Sequence, residues 1–140
     1  MKHFRIFPAV VILSCLLTGC GSTEPESSAA SRAYIPADSV IQMNMQTLGY
    51  QVTLNDMTEQ TGISMLAATN GKTPEDGFEG LYVIRANNPD TLESYKQTQQ
   101  YDKQIDHFRY ILYTNDAEYG NIMVCGTEKA LSDAGVTGGN

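Results

Sequence analysis

The chain predicts an α+β fold: a small, mainly antiparallel sheet with helices packed on one face. Three observations lead there. Short runs of β-prone residues recur between turn signals, three segments carry helix start or stop residues, and their order is helix, three strands, helix, two strands, helix. Runs of strands joined by tight turns pair with their neighbours, and the helices between them must cover an apolar face.

The first element can be read in two ways. Ile41, Met43 and Met45 alternate with Gln42, Asn44 and Gln46, as in a strand, but Ile41, Met45 and Leu48 also sit at helical spacing. Pro36 and Asp38 suit a helix start and Gly49 suits its stop, so a helix over 37–48 is favoured. Tyr50, Val52 and Leu54 alternate with Gln51 and Thr53, which gives a half-buried strand. Ile63 to Thr69 is a second strand, ended by Asn70-Gly71, and Leu81-Tyr82-Val83-Ile84 is a third, central one. Asn88-Pro89-Asp90 opens a helix with a capping side chain, proline at the first position and acid in the first turn. Leu92, Tyr95, Ile105 and Phe108 can share one of its faces. Phe108 to Tyr113 and Asn121 to Cys125 form a final hairpin, and Thr127 caps a short helix over Glu128 to Ala134 that stops at Gly135.

Met1-Lys2-His3-Phe4-Arg5 followed by the apolar run Ile6 to Leu17 has the basic and hydrophobic regions of a secretory signal. At twelve residues the run falls short of the roughly 20 that span a bilayer. Leu17-Thr18-Gly19-Cys20 closes it and resembles the lipobox of bacterial lipoproteins. The resemblance covers residues 1–20. It implies cleavage between Gly19 and Cys20, lipidation of the Cys20 thiol, commonly a palmitate or other acyl group on the new amino terminus, and attachment to the extracytoplasmic face of a bacterial cell membrane. Gly21, where an Asp would resemble an inner-membrane retention signal, leaves the outer membrane open in a Gram-negative cell envelope. Cys15, preceded by Ile12-Leu13-Ser14, is the weaker processing site. The globular part, with Leu48-Gly49-Tyr50 between helix and strand and Gly126-Thr127 between strand and helix, resembles small bacterial lipoproteins.

The expected organisation is therefore a signal peptide over 1–19, a lipidated and flexible tether over 20–33, one α+β domain over 34–134, and a disordered tail over 135–140. The tether expectation rests on a Ser/Ala/Glu-rich stretch without a large apolar residue, and the tail on its glycines. Loss of residues 1–19 removes Lys2 and Arg5 and leaves seven basic against sixteen acidic residues, a net charge of −9. That balance disfavours nucleic acid and an anionic lipid surface as partners and leaves anchoring to the covalent lipid on Cys20. With Cys20 modified, Cys125 is the one remaining thiol, so no intramolecular disulfide is expected.

No motif names a reaction. Gly71-Lys72-Thr73 lacks the glycine five residues earlier that a phosphate loop needs, since Leu66 stands there. Gly62-Ile63-Ser64-Met65-Leu66 lacks the second glycine of a nucleophile elbow. His107 and Cys125 fall short of a structural zinc site. Glu75, Asp76 and Glu79 in one loop, and Asp116 and Glu118 in another, lack the rhythm of a calcium loop and read as solvated acids. Cys125 follows Ile122-Met123-Val124 and reads as a packed thiol, while Tyr82, Tyr110 and Tyr113 read as sheet residues. The expected function is a lipid-anchored, non-catalytic binding or interaction module, without cofactor or metal, whose partner is another envelope protein or a small ligand. The alternatives are an envelope hydrolase and a purely structural lipoprotein.

Overall fold

A computed structural model describes residues 31–98 and 108–139, and Arg32–Asn140 forms one compact unit. Its elements are α1 (Asp38–Thr47), β1 (Gln51–Met57), the single turn α2 (Thr58–Thr61), β2 (Ile63–Thr69), β3 (Gly80–Ala86), α3 (Pro89–Thr98), β4 (Phe108–Asp116), β5 (Gly120–Thr127) and α4 (Glu128–Ala134). The strands make one antiparallel sheet in the order β1-β2-β3-β5-β4. Consecutive hairpins join β1 to β2, β2 to β3 and β4 to β5. β5 inserts between β3 and β4, so those two run parallel and their connection crosses over β5. The α+β class and the antiparallel sheet thus stand as expected.

Local chemistry sets the turns. Between β2 and β3, the Asn70 side chain acts as a brace, accepting from the backbone N–H of Lys72 and Glu79 and donating to the Gly77 carbonyl. Asn88 Oδ1 accepts from Thr91 N–H at 2.8 Å and caps α3, with Pro89 as first residue. Thr127 Oγ1 accepts from Ala130 N–H at 3.3 Å and caps α4. Gly126 is required where β5 meets β3: a Cβ there would lie 2.5 Å from the Gly80 carbonyl oxygen.

The two central strands are apolar on both faces, and this shapes the layers. Leu81, Val83, Ile122 and Val124 point to one side, where Ile41 and Met45 of α1 and Ala130, Leu131 and Ala134 of α4 cover them. Ile84, Met123 and Cys125 point to the other, where Leu92 of α3 is buried against them. Two helices therefore share one face, and α3 covers the opposite one. Strands without a polar side need burial on both sides, which is why a single helical layer does not suffice.

Three further expectations shift. Phe108 is the first residue of β4 and not part of a helical face, while Ile105 lies outside the described residues. The tail is built into the domain over 136–139. Gly135, at φ 89°, stops α4, and Val136 N–H then reaches back to the Leu131 carbonyl at 2.9 Å. That is the Schellman pattern, and the hydrophobic residue following the glycine drops into the core; Val136 is buried. Thr137 next exchanges both backbone hydrogen bonds with Tyr34. The expected tether also ends earlier, because Arg32 and Ala33 pack onto the β4–β5 hairpin.

Candidate binding site

The face covered by α3 contains a cleft of about 140 Å³. Every side chain lining it follows from the alternation of its strand or the period of its helix. β2 supplies Met65, β3 Tyr82 and Ile84, β4 Phe108 and Tyr110, and β5 Met123 and Cys125, while α3 adds Tyr95 three residues after the buried Leu92. Tyr82 and Phe108 rings lie 6.4 Å apart, and Phe108 meets Tyr110 edge-on at 5.8 Å. The Tyr95 hydroxyl donates to Met65 Sδ at 3.5 Å, tying α3 to the sheet. No charged side chain lines the cleft among the described residues. Its walls are aromatic edges and polarisable sulfur, with phenol hydroxyls as the polar groups. Sites for small organic ligands have this makeup, and methionine adapts to irregular shapes.

Elsewhere, two networks of ionisable groups tie parts of the fold together. Arg32 donates to both oxygens of Asp116, at 2.7 and 2.9 Å, and to Glu118 at 3.2 Å. Its guanidinium also lies over the Tyr113 and Tyr119 rings, 4.9 and 5.1 Å from their centres. The Arg32 hydrogen bonds, followed by backbone N–H groups of Tyr119 and Glu118, hold the Asp116 carboxyl well below the usual carboxylate range. Arg32 is raised by the same two acids. The Tyr113 and Tyr119 hydroxyls then take the backbone N–H groups of Ala33 and Ile35. Tyr113 thus serves this clamp, on the face opposite Tyr82 and Tyr110.

A second network joins the start of β1 to α4. The Tyr50 hydroxyl donates to Asp133 at 2.7 Å, and Lys129 donates to the same carboxylate at 2.6 Å. Burial, then the bond to Asp133, pushes the Tyr50 phenol up. Burial also works upward on Asp133, but its bonds from Lys129 and Tyr50 outweigh it and lower the carboxyl. A phenol used as a base needs the opposite shift, so this network reads as structural. In the β2–β3 loop, Asp76 accepts from the Thr73 hydroxyl at 2.8 Å, and Glu79 accepts from the Thr127 hydroxyl. Ser64 stands on β2 opposite Arg85, and Lys72 lies in the loop after the Asn70-Gly71 turn. Among the described residues no three metal-ligating side chains gather.

Gly19, Cys20 and His107 lie outside the described residues. Cys125 is buried on β5 in the cleft wall. The sequence reading missed Met65, Tyr95, Phe108 and Met123 as members of one site. The signal was present as matched parity: Tyr82 with Ile84, Phe108 with Tyr110, and Met123 with Cys125 each share a face. Only the strand order brings those pairs together. No protein family, no curated protein and no solved structure matches the chain.

Proposed function

We propose that the protein is a lipid-anchored binding module on the extracytoplasmic face of a bacterial membrane, held through Cys20, with the cleft beneath α3 as its binding site. The aromatic and sulfur side chains that line about 140 Å³ among the described residues carry this reading. An apolar cavity of roughly that size accepts a benzene-sized group, so the ligand presents one small ring or a short branched apolar end. The lipobox-like residues Leu17-Thr18-Gly19-Cys20 support the location, and Cys20→Ser is expected to release the protein from the membrane fraction.

Toluene titrated into protein labelled at the methionine methyls tests the cleft. Met65 and Met123 methyl signals are expected to shift saturably, while that of Met43, exposed on α1 across the sheet, stays in place. Equal, unsaturable drift of all three signals would overturn the reading.

A further inference from the structure

The two edges of the sheet are built differently. Strand edges carry unpaired backbone donors and acceptors that invite a further strand, and proteins block them with charge, bulges or cover. On the β4 edge, Arg109 ties to Glu128 at 3.3 Å and to the Gly138 carbonyl, and the register slips between Tyr113 and Asp116. The β1 edge has no bulge, and its single charged residue, Asp56, stands one position from its end. Its seven residues pair with β2 in unbroken register, contain no proline or lysine, and leave Leu54 58% exposed.

Charge narrows the choice of occupant. The chain carries −7 overall, so two copies repel unless they meet where charge is missing. Residues 39–55 form seventeen consecutive positions without Asp, Glu, Lys or Arg, the longest such run among the described residues, and they comprise most of α1 and β1. The strand also complements itself. Placed antiparallel about a twofold axis through Thr53, Val52 faces the other copy's Leu54, Gln51 faces Asn55, and Thr53 faces Thr53. Apolar meets apolar, amide meets amide and hydroxyl meets hydroxyl, each a favourable cross-strand pair. Side-chain parity is preserved, and Asp56 falls outside the paired segment.

We propose that β1 is a homodimer edge, pairing antiparallel with the β1 of a second copy about Thr53 to make a continuous ten-stranded sheet. The test is oxidative cross-linking of the full chain in its own membranes, with wild type as background because Cys125 is buried. Paired residues on neighbouring strands have Cα atoms about 4.5–5.5 Å apart, within disulfide reach. Thr53→Cys is expected to give a disulfide-linked dimer as its main product. Gln51→Cys and Asn55→Cys, each roughly 14 Å from its own copy by strand rise, stay monomeric alone and cross-link when co-expressed. Leu54→Lys added to Thr53→Cys is expected to reduce the dimer at least tenfold while leaving the unfolding midpoint in place. The proposal is overturned if Thr53→Cys gives no dimer, cross-links only to another protein, or dimerises no better than Met43→Cys on the exposed side of α1. A dimer that survives Leu54→Lys overturns it equally.

Discussion

The two faces of the sheet use the same five strands to different ends. Against α1 and α4, sixteen buried residues among those described form one continuous cluster that also takes in Ala33, Ile35 and Val136 from the ends of the domain. Against α3, five buried residues form the centre, and seven partly buried ones surround it among the described residues. One face buries a large cluster of side chains, and the other keeps a cleft of about 140 Å³ beside tyrosine and methionine. Close packing and an open cleft compete for the same side chains, and separating them by face lets a small domain have both.

Neighbouring residues on β5 provide the sharpest contrast. Ile122 faces the filled side and Met123 the cleft, and both are fully buried. Ile122→Ala is expected to cost about 4 kcal/mol, because a packed surrounding cannot collapse into the hole. Met123→Ala is expected to cost about 2 kcal/mol, since fewer fixed contacts are lost beside an existing void. Denaturant unfolding of the two variants measures both, and equal losses would break the distinction between the faces.

Cys125 offers a smaller effect on the same wall. Cys125→Ala should cost on the order of 1 kcal/mol, and Cys125→Ser more, since it places a stronger polar group in apolar surroundings. The native thiol should react with iodoacetamide more slowly than free cysteine at neutral pH, as expected of a buried group. Faster labelling would make it a nucleophile and reopen the hydrolase alternative.

The smallest effect belongs to the rim of the filled face, where Arg32 holds Asp116. The Asp116 carboxyl is lowered in the fold, so its contribution is complete above the ordinary carboxylate value of about 3.9. It is lost as pH falls from there towards the lowered value, because the unfolded chain then takes up the proton first. Asp116→Asn should therefore reduce stability modestly at pH 7 and flatten the loss between pH 5 and 2. A mutant whose midpoint falls in parallel with wild type over that range would show that the clamp does not contribute this way.

Local signals were legible in the sequence, and spatial pairings were not. Asn88 and Thr127 cap their helices as their positions indicated, β2 spans Ile63–Thr69 as read, and the helix expected over 37–48 is Asp38–Thr47. Each depends on residues a few positions apart. The side taken by α3 depends on β5 inserting between β3 and β4, which no local period encodes. Val136 was hidden for a related reason. Its neighbours Gly135, Gly138 and Gly139 suggest fraying, but one apolar residue after a left-handed glycine is enough to turn the chain back into the core. Tyr82 and Tyr110 were visible as strand residues, and alternation puts Tyr110 and Tyr113 on opposite faces, but nothing local told which face keeps the cleft.

The backbone bonds between Tyr34 and Thr137 also make the domain nearly circular. Its first and last residues leave from one place beside β4, where Arg32 meets Asp116 and a Gly139 side chain would touch Arg109 and Ile111. A short linker could join these ends and new ones could be opened in the exposed β2–β3 loop, with the order of strands in space unchanged. Anything fused to either end likewise starts on the β4 side. With strands about 4.8 Å apart, that is roughly 19 Å across the sheet from β1, so a fluorescent or affinity tag at the C-terminal end can be carried without crowding the opposite edge.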